Sequence, residues 1–591
     1  MAEEYKNMAF LSNGFTSVLE LEGSIEWFPC PRFDSPSIFS KILDDASGGY
    51  FSVKPEGEYR YKAEYAGKTL ILKSTFSTSK GKLELTDFMP MSLPGIIRLF
   101  KSSIPFIADI KPIFDYGRIN PGIENLEKGF VFSNEGMHDG FEVSISGKFE
   151  LIEDGIARIS KGSGYLFGLY SRDLRNGLFS KSGFVYPDPY ESLKLLESYW
   201  TGQVKMAIDI SKFNDVYSRS LSVILGLMYL PSGGMIAAPT TSLPEIVGGA
   251  RNWDYRYVWV RDASYAAEAL AGCGLTSKSR KALDFLVSVI DPSSKSFDHP
   301  YYTVDGTEPL AEERLGWLRG YKRSKPVRRG NAAYLQVQID IEGAFMGALY
   351  TYFKHSKDIG FVSENWWAVE SIAEWTEKSW SSKSTSLWEE REEPRHFVHT
   401  KVMSWVAMTR AAWLAEAIGN KRAAEWSSTA EAIKEDIMEN GFSAKLDSFV
   451  KFYGAEEVDA ALLTLPLYGF IDAKDPKFAS TLKKIEKDLM MSDGLLIRYA
   501  ADAMGRLMNP KALLSTWLAR DYIRMGDVKR AEETLEGLIS HATNMLLFAE
   551  HIDRNTYETR GNFPQLFPHA GLVAALTELN DPKLCKLNSN K

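Results

Sequence analysis

Apolar and polar residues alternate with a period of two through the first third of the chain. Ser17-Val-Leu-Glu-Leu21, Phe141-Glu-Val-Ser-Ile145 and Gly155-Ile-Ala-Arg-Ile159 are examples. Asn13-Gly14, Asp139-Gly140 and Asp154-Gly155 separate such runs. Period-two spacing with Asn-Gly and Asp-Gly turns predicts antiparallel hairpins, and many in succession predict a sandwich. Near residue 190 the spacing becomes helical. Glu191–Trp200 reads as a linker helix, and from about Phe213 twelve helical segments follow. Their expected spans are 216–229, 262–273, 276–290, 331–355, 365–382, 400–418, 422–439, 456–466, 475–489, 510–525, 527–541 and 567–578.

The connections carry more information than the helices. Those before the odd-numbered segments are short, with turns at Gly274, Gly419-Asn420-Lys421 and Gly526. Those before the even-numbered segments run to roughly 16–40 residues, and loops that long inside a compact domain are usually functional. In an up-and-down helical array, loops of one parity emerge at one end. The pattern therefore predicts a sandwich followed by an α/α barrel, with its site at the long-loop end.

Composition narrows the function. The 591 residues are 45% hydrophobic and 25% charged, with a formal net charge of −8 and no dense Lys/Arg block, which disfavours nucleic-acid binding. Cys30, Cys273 and Cys585 are too widely separated for a disulfide framework or a zinc knuckle. The beginning of the chain has no apolar leader, and the longest apolar run, around Val223–Leu230, is too short to span a membrane. A soluble, cytoplasmic protein is expected. No HExxH, G-x-S-x-G, Walker A or G-x-G-x-x-G motif is present. His396 and His399, three apart, read as a structural pair rather than a metal site.

The long loops hold Asp254, Asp262, Asp298, Glu312, Glu313, Glu389, Glu390, Asp493, Glu550 and Asp553, together with Trp253, Trp259, Trp317 and Trp388. Carboxylates that move protons, beside aromatic faces that cover a sugar ring, are the equipment of glycosidic-bond cleavage. Residue types and spacing lead to a carbohydrate-active protein and no further.

Four stretches resemble glycoside hydrolase family 15, which comprises glucoamylases, glucodextranases and microbial trehalases. They are Gly249–Ser264 (with Trp259-Val-Arg-Asp262), Ser386–Phe397 (with Trp388-Glu-Glu390), Leu547–Asp553 and Gly561–Phe567. Gly23–Trp27, Pro31–Pro36, Ala237–Glu245 and Pro326–Asn331 extend the resemblance over nearly the whole chain. It implies an N-terminal antiparallel β-supersandwich (1–188), a linker helix (189–212) and an (α/α)6 barrel (213–591). It implies Glu389 as general acid and Glu550 as general base, with Trp388 and Glu390 lining the sugar site. By the same resemblance Trp259, Arg261, Asp262 and Arg498 hold the terminal glucose. The sequence departs from the family near Ala503–Asn509 and at His551, where many members carry Glu or Gln.

The expected activity is that of an inverting exo-α-glucosidase of glucoamylase type, acting on α-glucans or malto-oligosaccharides. Trehalose hydrolysis by an α,α-trehalase is the alternative within the family. A non-catalytic carbohydrate-binding protein on the same fold is the alternative outside it. Trp388 and Glu390 are expected to keep Glu389 protonated. No metal or organic cofactor, no nucleic acid and no membrane is implied, and assembly into a homo-oligomer is left open. The proline-fixed stretch Pro29–Pro36 is expected to dock on the long-loop end of the barrel and wall the aglycone side.

Overall fold

The computed structural model describes residues 5–91, 93–134, 136, 139–171, 187–491, 494–506 and 509–585. Its first part is built from two eight-stranded antiparallel sheets. In the first, Met8–Ser12, Ser17–Leu21, Ser24–Pro29, Tyr50–Pro55, Phe106–Lys111, Ile156–Ile159 and Phe149–Glu153 are neighbours in that order, with Ser37–Phe39 paired to the third strand. In the second the order is Gly122–Leu126, Gly129–Asn134, Asp139–Ile145, Gly162–Ser171, Gly95–Ser102, Gly81–Phe88, Leu72–Thr78 and Arg60–Tyr65. The sheets meet through aromatic side chains. Phe141 of the second packs edge-on to Phe28 and Phe39 of the first. Arg98, buried and paired with both oxygens of Asp87, crosses between the sheets to donate to the Phe51 carbonyl. A buried guanidinium is costly unless it is paired and hydrogen-bonded in this way.

The linker helix α1 (Pro189–Lys205) starts on Asp188, whose carboxylate accepts from the backbone of Tyr190 and Glu191. The expected boundary at 188/189 adjoins residues 172–186, which lie outside the described residues. Among the described residues, twelve barrel helices follow: α2 (Asn214–Gly226), α3 (Val260–Gly272), α4 (Thr276–Ser288), α5 (Asp340–Ser356), α6 (Trp366–Ser379), α7 (Val398–Ala417), α8 (Ala423–Asn440), α9 (Thr464–Leu467), α10 (Pro476–Leu489), α11 (Ala512–Met525), α12 (Val528–Ser540) and α13 (Leu566–Asn580), with a further short helix, Ile359–Glu364, between α5 and α6. The inner ring is α3, α5, α7, α9, α11 and α13, each packed on the next and α13 closing on α3. Inner helices such as α3, α7 and α13 are buried on nearly every face, whereas the outer α10 and α12 bury one stripe. Among the described residues, no helix is long and apolar enough to cross a membrane.

The connections into the inner helices, 227–259, 289–339, 380–397, 441–463, 490–511 and 541–565, are the long ones, as expected. Two expected helices start late. The segment expected from 331 is a 3-10 turn, Ala332–Leu335, capped by Asn331, and an extended stretch then leads to α5 at Asp340. The segment expected from 456 begins at Ala460, where Asp459 accepts from the Ala461 amide.

The sandwich is fixed to these long connections. Trp27 donates to the Pro239 carbonyl and Trp317 to the Tyr116 carbonyl. Arg256, fully buried, chelates Asp254, donates to the Ser35 carbonyl and lies against the rings of Trp27 and Tyr116. The Pro29–Pro36 stretch does dock here, with Arg32 paired to Asp305 and Asp34 accepting from the Val304 amide. None of its residues lines the pocket described below, so the expectation that it walls the aglycone side is corrected. Its contacts end on the backs of the loops.

Candidate active site

A cleft of about 780 Å³, its open mouth included, lies at the long-loop end of the barrel. All eight residues expected at the site line it: Trp259, Arg261, Asp262, Trp388, Glu389, Glu390, Arg498 and Glu550. Trp253 lines it too. Trp317 does not, being turned to the sandwich. Asp254 and Glu312 are consumed by arginines, Asp254 by Arg256 and Glu312 by Arg328 and Arg391. Asp493 lies outside the described residues.

The floor is set where α3 begins. Val258–Trp259 pairs with Tyr301–Tyr302, which stacks the Trp259 indole on Tyr301 at 4.4 Å between ring centres. Trp259 Nε1 then donates to Glu389 Oε1 at 2.7 Å. Arg261, the second residue of α3, donates to the same oxygen at 3.2 Å and to Gln338 Oε1 at 2.7 Å, and stands 3.5 Å from Asp340. Gln338 Nε2 is a third donor to Glu389 Oε1, at 3.3 Å. No described residue donates to Glu389 Oε2. The backbone at Glu389 is left-handed (φ +60°), a costly conformation for a residue with a side chain and one that collects at functional sites.

Trp388 and Glu390 line the cleft, each hydrogen-bonded elsewhere. The Trp388 indole donates to both oxygens of Asp459 at 2.9 Å. Glu390 is held by Lys451 and by Ser386. The side chains that hydrogen-bond the Glu389 carboxyl are instead Trp259, Arg261 and Gln338.

Glu550 sits in a different environment. An antiparallel bridge between Lys511 and His551 sets the Lys511 ammonium on Glu550 Oε1. Tyr255 OH donates to Oε2 at 3.1 Å, and His551 Nε2 lies 3.5 Å from the same atom. His551 Nε2 is also 3.6 Å from Glu245 Oε2, which in turn is 3.8 Å from Arg498. Burial alone would raise the Glu550 carboxyl, but Lys511 and His551 drive it well below the usual carboxylate range. Glu245 is likewise carried down to about 2, its burial overcome by Arg498 and His551. Burial disfavours the His551 cation, yet Glu245 and Glu550 raise its pKa. The group is a row of alternating charges. Glu245, Glu550 and His551 are the described residues whose donor atoms, within 4.8 Å of one another, come close enough to share a cation. Lys511 and Arg498 already bring positive charge to that place.

Asp262, next to Arg261, also lines the cleft and feels both carboxylates. Burial, with Glu389 and Glu550 adding to it against Arg261, pushes its carboxyl up to about 7. The paired histidines play no part: His396 stacks on Tyr453, and burial, then Arg261, pushes His399 down to about 3.

Sequence reasoning missed Glu245, Tyr255, Gln338 and Lys511. Glu245 and Tyr255 stood inside stretches quoted for other residues, and Gln338 was absorbed into a helix. For Lys511, only its place just before an inner helix could have drawn notice.

Comparison with known proteins assigns this architecture. The profile of "Glycosyl hydrolases family 15" matches residues 211–577, and that of "Trehalase-like, N-terminal" matches residues 2–161. Trehalase 2 of Sulfolobus acidocaldarius is 52% identical over 97% of this chain and 100% of its own length. Trehalase 1 of the same organism is 41% identical over 97% and 98%, and the trehalase of Mycobacterium tuberculosis 33% over 97% and 89%. A bacterial glucoamylase solved in complex with acarbose superposes with a TM-score of 0.75 over 98% of this chain and 95% of its own, at 14% identity, a likeness of fold alone. The expected glucoamylase-type activity is thereby overturned, since the full-length relatives are trehalases and the glucoamylase shares only the architecture. On sequence and fold together, the chain belongs to glycoside hydrolase family 15.

Proposed function

We propose that the protein is an α,α-trehalase that hydrolyses trehalose to two glucoses by a single inverting displacement. The observation that carries this reading is the 52% identity with Trehalase 2 across essentially both whole chains. The site chemistry is consistent with it. Glu550, kept anionic by Lys511 and His551, is suited to take a proton from water. Glu389 accepts three hydrogen bonds on Oε1, so in its acid form the proton belongs on Oε2, free to pass to the glycosidic oxygen. Water adds to the anomeric carbon from the Glu550 side as the bond to the bridging oxygen breaks. That oxygen takes the Glu389 proton, and Glu550 keeps the proton lost by the water. Asp262 and Arg498 then offer an acceptor and a donor to the hydroxyls of the sugar on the floor, and Trp259 and Trp388 offer apolar faces.

Stereochemistry tests the reading. One displacement converts the attacked unit to β-glucose, while the departing unit keeps its α configuration. Proton NMR of fresh product should therefore show the two anomers in equal amounts. Two α-glucoses would reveal a retaining route and remove the assignment of Glu550. Glucose release from trehalose, set against maltose, maltotriose and soluble starch, tests the substrate; activity on starch with none on trehalose would refute the proposal.

A further inference from the structure

The mouth of the cleft is bridged. Arg251 and Asp502 face each other there, with Arg251 Nη1 and Nη2 on the two Asp502 oxygens at 3.0 and 2.6 Å. Their side chains are only 11% and 6% exposed although both line the cleft. Asp502 lies on a small hairpin, Ala501–Asp502 paired with Gly505–Arg506, whose tip, Met504, also lines the cleft. Three further contacts tie this hairpin down. Tyr499 OH donates to Asp502 at 2.8 Å, the Ala503 amide donates to Glu392 at 2.8 Å, and the Asn509 amide group donates to the Glu245 carbonyl at 2.7 Å. The connections into α3, α7 and α11 are thus joined to one another at the cleft. An exposed surface ion pair would contribute little, but a nearly buried bidentate pair holds its geometry, because separating it strands a charge.

We propose that the Arg251–Asp502 bridge sets substrate length, closing the cleft behind the second sugar so that a disaccharide fits and a third residue is refused. The inference rests on the trehalase reading and adds a specificity determinant to it. Arg251 spends Nη1 and Nη2 on Asp502, and its Nε has no acceptor among the described residues. The Nε–H and the second hydrogen of each Nη are thus left for hydroxyls of the departing glucose. Trp253, two residues on, lies against the guanidinium groups of Arg391 and Arg328 at 4.6 and 4.5 Å and lines the same rim.

The test compares full-length wild type with Arg251→Ala, Asp502→Ala, the double variant and Arg251→Lys, each assayed for kcat/KM on trehalose, maltose, maltotriose and maltopentaose. Either alanine should lower kcat/KM for trehalose by about 10–100-fold, mainly through KM. The double variant should be little worse than the singles, because the two side chains act as one unit. The maltotriose-to-trehalose ratio of kcat/KM should rise at least about tenfold. Arg251→Lys keeps the charge and loses the fork, and should move the ratio the same way by a smaller factor; it carries the test if the alanine variants do not fold. A ratio that stays fixed while all substrates decline together would overturn the proposal, as would a wild type that turns over maltotriose as readily as trehalose. A wild type without trehalose activity would instead defeat the functional reading beneath it.

Discussion

Glu389 and Glu550 line the same cleft and are held by opposite means. Around Glu389 the protein concentrates three donors on a single oxygen, leaves the other open, and places the residue on a left-handed backbone. Its side chain stays 18% exposed. Around Glu550 both oxygens are engaged, a lysine and a histidine supply positive charge, and the side chain is 7% exposed. One carboxyl is aimed by geometry and the other is kept charged by its neighbours. An acid must present its proton in one direction, whereas a base must only be ionised when water arrives.

The largest effect should come from the charged member. Glu550→Gln keeps the shape and removes the base, so kcat on trehalose should fall by about 10²–10⁴-fold. Calorimetric titration with trehalose should still show binding; loss of binding would mean that Glu550 holds sugar rather than water. Glu389→Gln should cost a similar factor on trehalose and far less on α-glucosyl fluoride, whose leaving group needs little protonation. Equal losses on both substrates would remove the acid role. Lys511→Met comes next, with a fall of about 10–100-fold at neutral pH. As the proposed base Glu550 must be ionised to work, so activity should disappear as pH drops through its pKa. Burial pushes that pKa up while Lys511 and His551 hold it low, so removing Lys511 should carry the acid limb of kcat/KM upward in pH. An unmoved limb would show that Lys511 positions the base without charging it. Gln338→Leu should be the mildest, about 3–10-fold, since one of three donors to Glu389 is lost and its partners remain. It should leave the acid limb where it was, which separates the two modes of control.

Much of this was legible in the chain. The change of period near residue 190 and the alternation of short and long connections located the sandwich, the barrel and the end that carries the cleft. Motifs such as Trp259-Val-Arg-Asp262 and Trp388-Glu-Glu390 supplied residues that do converge. Gln336 and Gln338 escaped because the usual rule is inverted there. Leu335 and Val337 are 72% and 61% exposed, while the glutamines between and beside them turn inward. Apolar-inside pattern reading therefore sees a helix where an extended strip presents amides to the site. Lys511 and Tyr255 escaped for another reason, since each meets Glu550 across hundreds of residues or a backbone bridge that no local pattern encodes. Substrate choice was the least legible. The motifs that carry the resemblance are common to the family, and the departures at His551 and near Ala503–Asn509 fall beside Glu550 and on the hairpin that lines the cleft, with 507 and 508 outside the described residues.

Arg256 has a consequence beyond packing. It anchors the strip from Trp253 to Trp259, from which Tyr255 reaches Glu550 and Trp259 reaches Glu389, and its own anchors, Ser35, Trp27 and Tyr116, belong to the sandwich. A barrel excised at residue 213 would retain the expected acid and base yet lose the cover over that guanidinium, leaving the strip free to wander. Scanning calorimetry of the whole chain should accordingly show one heat-absorption peak rather than two. On this view the sandwich would act as a jig for the strip, and Trehalase 2 aligns across both parts, over 97% of this chain and 100% of its own length.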